Sequence, residues 1–176
     1  MKKIFLSFIF TGFFINYTYA KTYNGFANMA DTTIHDNVTV NGSFTGEKLT
    51  LKKSLEVNGS GTLKNSKIFG PLHVNGSIDF DNVTVNSQST INGSIDTNKS
   101  SFEKLIALSG DGSFKDSQLT EILVKKPTKE QKNTLYLSGT TCVSGDITFE
   151  SGKGKVYLSD EAHIKGKVIG GEIIKK

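Results

Sequence analysis

Apolar residues recur along this chain in pairs two apart, and the pairs return every 17 residues. With Val40 as position 1 of a unit, position 1 is Tyr23, Val40, Val57, Val74, Ile91 and Leu108. Position 12 is Ile34, Leu51, Ile68, Val85, Phe102 and Leu119, and position 16 is Val38, Leu55, Leu72, Ser89, Ile106 and Leu123. Positions 5 and 7 add Phe44, Ile78 and Ile95, then Met29, Leu63, Phe80 and Phe114. Position 10 runs Thr32, Leu49, Ser66, Val83, Ser100 and Ser117. The exceptions in these rows are Gly, Ser or Thr, and none is charged. A spacing of two is the period of a strand with one buried face. Three such pairs per unit (5 and 7, 10 and 12, 16 and 1) predict three short strands and a three-sided coil. Stacked coils make an all-β, single-domain parallel β-helix, a solenoid of about 17 residues per coil. Roughly eight coils and a fragment are expected, a rod about 40 Å long at ~4.8 Å per coil.

Between the apolar pairs, "VNGS" stands at 40–43, 57–60 and 74–77, and "INGS" at 91–94. The Asn-Gly steps Asn41-Gly42, Asn58-Gly59, Asn75-Gly76 and Asn92-Gly93 tolerate positive φ, so they read as a corner between two faces. Stacked at one corner, their amides can hydrogen-bond up and down the coils as a structural ladder. The "N-G-S" sequons are a by-product of that corner. Outward rows support the same register: position 8 alternates in sign through Glu47, Lys64 and Asp81, and position 14 sets Asp36 beside Lys53 and Lys104 beside Glu121.

The repeat is interrupted at "KKPTKEQKNT", a polar loop at 125–134 that includes Pro127. The reading that carries the repeat across it assigns Leu135 and Leu137 to positions 10 and 12 and Thr141 and Val143 to positions 16 and 1. "VSGDITF" then restarts the unit with Gly145, Ile147 and Phe149, and "ESGKGK" widens one corner before Val156 and Leu158. Ala162 and Ile164 close that coil. The run of lysines at 125–132 in the polar loop could touch an anionic surface; as a rule such a run is a solvated loop.

Residues 1–20 lie outside the repeat. Lys2 and Lys3 precede an apolar run, Ile4–Ile15, and Thr18-Tyr19-Ala20 offers small residues for cleavage. The run is short for a membrane span. A signal peptide over 1–20 is expected, with the β-helix domain occupying 21–176 and no transmembrane span after cleavage. The expected location is the periplasm, the cell surface or the medium.

Composition narrows the chemistry. The formal net charge is +4, and every basic residue is Lys. Without arginine the chain lacks the bidentate fork used to read phosphate and guanine, so no nucleic-acid partner is expected. Cys142 is the sole cysteine, which excludes an intrachain disulfide and suits a small core residue. His35, His73 and His163 fall at different corners, so no metal site is expected. Asp79 and Asp96 share position 6 on adjacent coils, with Asp111 at position 4 of the next. Three outward carboxylates could hold a cation or act as acid and base. No basic partner and no long loop walls a groove beside them, so they read as a solvated acidic patch. Ser43, Thr45, Ser60, Thr62, Ser77 and Ser94 form an outward hydroxyl ladder that Asp79 and Asp96 interrupt. No catalytic residue, cofactor or metal is assigned.

The recurring "VNGS" and "INGS" corners, "VSGDI" and "IKGKVIGG" resemble the bactofilins, a family of polymer-forming β-helical proteins, over about residues 23–170. The resemblance implies nucleotide-free filaments made end to end. Bactofilins act in the cytoplasm, and the export signal sets this chain apart. In its first coil Tyr23, Ala27, Met29 and Ile34 point inward close to the cleavage site, and the last coil ends with Lys175 and Lys176. Bare coil ends invite pairing. The expected function is an exported, non-enzymatic structural β-helix, able to self-assemble through its coil ends into filaments or an envelope or surface scaffold. The alternative is an adhesin-like or carbohydrate-binding solenoid that contacts a glycan or the cell envelope.

Overall fold

The computed structural model describes residues 20–126 and 133–176. The export signal expected over 1–20 therefore lies almost wholly outside the described residues, as do residues 127–132 of the polar loop. Among the described residues every regular element is a strand. In order these are β1 Lys21–Ala30, β2 Thr33–Ile34, β3 Val38–Glu47, β4 Thr50–Leu51, β5 Leu55–Lys64, β6 Lys67–Ile68, β7 Leu72–Asp81, β8 Thr84–Val85 and β9 Ser89–Asn98. There follow β10 Ser101–Leu108, β11 Gly112–Lys115, β12 Gln118–Val124, β13 Thr134–Ser138, β14 Cys142–Val143, β15 Ile147–Phe149, β16 Gly154–Leu158, β17 His163–Ile164, β18 Val168–Ile169 and β19 Gly171–Lys175.

All pairings are parallel, and through the first half each residue pairs with the one 17 further on. Position 5 can be followed through the whole stack as Ala27, Phe44, Gly61, Ile78, Ile95, Gly112, Leu135, Val156 and Ile173. The protein is a parallel β-solenoid of about nine turns, close to the eight and a fragment expected.

Each early coil has two strands rather than three. A ten-residue strand runs from position 16 through the Asn-Gly corner to position 8, and a two-residue strand covers positions 11 and 12. The chain bends at Asn-Gly without losing its ladder. Gly59 sits at φ +146, a conformation open to glycine, and a Cβ there would run into the carbonyl oxygen of Gly42 one coil below. Glycine is required at this corner both by its φ and by the close approach of the coils.

The next corner is made differently. Asp31, Lys48, Asn65, Asn82, Lys99 and Asp116, all at position 9, hold φ between 49° and 56°. This left-handed conformation is tolerated by Asn and Asp and disfavoured for Lys. Directly after it, the position 10 hydroxyls of Ser66, Ser100 and Ser117 are buried and hydrogen-bonded. Each donates to the position 8 carbonyl of its own coil, at 2.6 Å from Ser66 to Lys64, 3.0 Å from Ser100 to Asn98 and 2.7 Å from Ser117 to Lys115. Each also accepts an amide from the coil below, from Leu49 at 3.0 Å, Val83 at 3.1 Å and Ser100 at 3.2 Å. These serines are inward because the corner needs their oxygen, and the apolar pattern alone does not show it.

The core is one continuous column of inward side chains. Phe102 is 1% exposed; it stacks on Phe80 with ring centres 6.0 Å apart and meets Phe114 edge-on at 6.5 Å. Small residues make room for large ones: a Cβ on Gly61 would lie 2.6 Å from Cδ1 of Ile78. A fully buried Leu, Ile or Phe contributes about 1.5–3 kcal/mol.

The expected register fails at two places. Leu105 pairs with Glu121 and Ile106 with Ile122, so one residue is lost between Leu119 and Ile122. Ile122 and Val124 therefore point inward, and Leu123, expected at position 16, points outward and is half-buried. The second failure follows the polar loop, where Leu135 and Leu137 pair with Gly112 and Phe114. They occupy positions 5 and 7, not 10 and 12. The loop has replaced the Asn-Gly corner of that coil rather than a whole face. Every later assignment moves round by one side: Val143 pairs with Leu119, Ile147 with Ile122, Phe149 with Val124, and Val156 with Leu135. "VSGD" is the corner after position 12, tied by Gly145 N–H donating to the Thr120 carbonyl at 2.7 Å.

Candidate functional site

The Asn-Gly corners carry a side-chain ladder on the solenoid surface. Nδ2 of Asn41 donates to Oδ1 of Asn24 at 2.9 Å, Asn58 to Asn41 at 2.9 Å, Asn75 to Asn58 at 2.7 Å and Asn92 to Asn75 at 2.8 Å. Ser109 ends the row, its hydroxyl donating to Oδ1 of Asn92 at 3.3 Å. Parallel in-register stacking is what brings one amide over the next, since Asn41, Asn58, Asn75 and Asn92 are direct pairing partners. A second, shorter ladder at the left-handed corner has Asn82 donating to Asn65 at 2.8 Å, and Asn98 donates to Asp81 at the same distance beside it.

The three carboxylates singled out in the sequence separate in space and in role. Asp79 and Asp96 are direct partners on adjacent coils, both exposed. Asp111 is engaged elsewhere: its Oδ1 accepts the Thr134 amide at 2.8 Å, pinning the end of the polar loop. The other end of that loop is tied by Lys125 N–H to the Leu108 carbonyl and Lys126 N–H to the Glu150 carboxylate. Asn133, 3% exposed, closes the loop's base with its Nδ2 donating to the Lys125 carbonyl. Among the described residues no three His, Cys, Asp or Glu side chains gather as a metal site would require. His163 is exposed, its Nδ1 3.1 Å from the Glu161 carbonyl, and Cys142 is a buried free thiol.

The position 6 row that the sequence shows at Thr62, Asp79 and Asp96 continues further than the 17-residue count reveals. It reads Thr62, Asp79, Asp96, Ser113, Tyr136 and Tyr157 through successive coils. The two tyrosines stack with centres 5.2 Å apart and planes 11° apart, and Tyr136 is 45% exposed. The Lys176 ammonium lies over the ring of Tyr157, 5.0 Å from its centre. The signal was hidden because the polar loop displaces the 17-residue count just before Tyr136.

A depression of about 490 Å³ lies at the widened corner, between Gly152–Lys155 and Gly170–Glu172. Its glycines and lysines suggest an anion seat, but four of its amides are already spent. Gly152, Gly154 and Lys155 donate to the carbonyls of Phe149, Gly170 and Asn133, and Lys153 to the Ser151 hydroxyl. The Lys155 ammonium pairs with Glu172 at 3.4 Å.

The two end coils differ from all others. Among the described residues β1 pairs with β3 alone and β19 with β16 alone, so each leaves one strand edge free. Tyr23 and Met29 are half-buried at the first end, and burial raises the Tyr23 phenol above its ordinary pKa. Ala162, Ile164 and Val168 are half-buried at the other end, with Ile173 47% exposed. Each end coil also carries a lysine in an inward row. Lys21 pairs with the buried Val38, and Lys175 with the buried Leu158.

Compared with known proteins, the chain matches no family model, no curated protein and no solved structure.

Proposed function

We propose that this chain is an exported structural rod, without catalytic activity, that associates end to end with further copies of itself. The observation that carries this reading is the contrast between sides and ends. Along the sides the backbone is paired and the inward residues are buried. At the ends, among the described residues, a parallel strand edge is free and Tyr23, Met29, Ile164, Val168 and Ile173 are only partly covered. A free parallel edge over an apolar cross-section is a template for another coil. Lys21 and Lys175 temper it, because an inward-pointing charge at an edge resists stacking. Association is therefore reversible and concentration-dependent. Sedimentation and negative-stain microscopy on residues 21–176 across a concentration series test it. Filaments one coil-width thick are expected; a monomer at every concentration would exclude the scaffold.

A second reading, a glycan-binding solenoid, draws on the position 6 column. The open face of Tyr136 looks along the rod toward Ser113 and then Asp96, an aromatic face followed by a hydroxyl and a carboxylate. Aromatic faces with a few placed polar groups are how ligand sites obtain orientation. Binding to a glycan array that is lost in Tyr136→Ala would support it.

A further inference from the structure

We propose that Asn24 is a site of spontaneous covalent modification, deamidation to aspartate and isoaspartate, and that the ladder above it protects the four Asn-Gly steps at Asn41, Asn58, Asn75 and Asn92. An Asn-Gly step is open to this chemistry because the glycine amide has no side chain in the way. The Gly backbone nitrogen loses its proton to hydroxide and attacks Cγ of the preceding Asn. The new C–N bond closes a five-membered succinimide, and the Cγ–Nδ2 bond breaks, with Nδ2 leaving as ammonia. Water then opens the ring at either carbonyl, giving aspartate or isoaspartate. Solvent water is the sole co-reactant, and nothing is oxidised or reduced.

Two features distinguish Asn24 from the other four. The first is hydrogen bonding. Asn41, Asn58 and Asn75 each donate Nδ2 to the coil below and accept at Oδ1 from the coil above. Asn92 does the same with Ser109 as its upper partner. Asn24 accepts from Asn41, but among the described residues its own Nδ2 has no acceptor. Among the described residues the leaving nitrogen is held in four cases and unheld in one. The second feature is the backbone. Gly42, Gly59, Gly76 and Gly93 sit at φ 141–147°, each pressed against the carbonyl oxygen of the glycine beneath it. Gly25 sits at φ 101°, with nothing among the described residues within 4 Å of where a Cβ would be. The corner that must flex to bring nitrogen to Cγ is clamped in the interior coils and loose at the first.

The ladder also decides what each product does. An aspartate at 24 keeps the oxygen that accepts from Asn41, and a charged acceptor strengthens that bond. An aspartate at 58 would face Oδ1 of Asn41 with no proton between the two oxygens. The row tolerates the reaction at its foot and is damaged by it anywhere else.

The test is peptide mapping by mass spectrometry of the folded full-length protein held in mildly alkaline buffer, with a parallel sample in denaturant. Asn24 should deamidate first, with the other four slower by about tenfold or more, the factor that ladder bonds broken before attack supply. In denaturant the five rates should converge. Equal rates in the folded protein, or an interior Asn reacting first, would overturn the proposal. A second arm uses Asn75→Ala, which takes the acceptor from Asn92 Nδ2 and the donor from Asn58 Oδ1. Asn92, which loses the acceptor of its leaving nitrogen, should accelerate, while Asn41 and Asn58, whose Nδ2 groups stay bonded to the coil below, should not. An unchanged rate at Asn92 would overturn the protective role of the ladder.

Discussion

The Ser100 hydroxyl lies 3.1 Å from the Val83 amide nitrogen, one coil below, and accepts its hydrogen bond. It donates in turn to the Asn98 carbonyl at 3.0 Å, and Ser100 is 2% exposed. One side chain thus serves two buried backbone groups beside the left-handed Lys99. Ser100→Ala would leave the Val83 amide without a partner in a place water does not reach, while the Asn98 carbonyl keeps the Asn82 amide. The expected loss is about 1–3 kcal/mol, read as a drop in the denaturant midpoint. A change within error would mean the corner does not depend on the hydroxyl.

Ser89 is the opposite case. It stands in the inward row between Leu72 and Ile106, is 0% exposed, and its Oγ has no partner among the described residues. Ser89→Ala removes an unsatisfied oxygen and leaves a hole no larger than that atom. It should raise stability by about 1 kcal/mol. The same substitution at two inward serines is therefore expected to have opposite signs, and urea titrations of the pair decide it.

Phe102→Asp tests the column itself. The ring fills the space between Phe80 and Phe114, and among the described residues no cation lies in the core to pair with a carboxylate. An unpaired charge there should cost more than about 4 kcal/mol and unfold the middle coils. A stable variant by circular dichroism would refute the inward register.

How much of this was legible before the structure depends on what alternation can encode. Inward against outward is a parity, and parity survives the polar loop, so alternation alone assigns Leu135, Leu137, Val143 and Phe149 to the core, where they lie. Which of three sides a pair occupies is a count modulo 17, and a loop of altered length erases the count. Hence the 17-residue count sets Leu135 on the wrong side and hides that Ser113 and Tyr136 are neighbours. Leu123 fails for a smaller reason: losing one residue before Ile122 reverses parity over a stretch that is apolar at every position. The left-handed corner was invisible because Asp31, Lys48 and Asn65 share a conformation and no single residue type.

Asp116 gives the rod an acid-sensitive corner. Its carboxylate accepts the Thr140 amide at 2.9 Å, and this bond above all holds its pKa below the ordinary aspartate value, helped by the Thr140 hydroxyl, Lys115 and Lys99. A depressed folded pKa contributes stability that is present above the unfolded value and lost as pH falls through the folded one. The loss should begin below about pH 4, where a free aspartate titrates. Asp116→Asn keeps an oxygen for Thr140 and tolerates the left-handed backbone. Its thermal midpoint should fall less than wild type between neutral and acid pH, and parallel curves would assign the acid sensitivity elsewhere.

Lys21 and Lys175 set the strength of the proposed end-to-end contact. Each is the one charged residue in an otherwise apolar or small inward row of its end coil, over Val38 in one case and Leu158 in the other. In a continued stack the Lys175 row would meet Met29 of the next copy and the Lys21 row would meet Val168. Each ammonium would then lose water without gaining a partner, unless its stem bent out to the rim. Replacing both with leucine removes that penalty and adds apolar area at the joint. The double variant should associate at least about tenfold more tightly than wild type, a change of roughly 1.4 kcal/mol or more. Sedimentation equilibrium on both proteins measures it. Tighter association places the joint at the coil ends and makes the lysines its brake; an unchanged or weaker constant would move any self-contact to the sides of the rod.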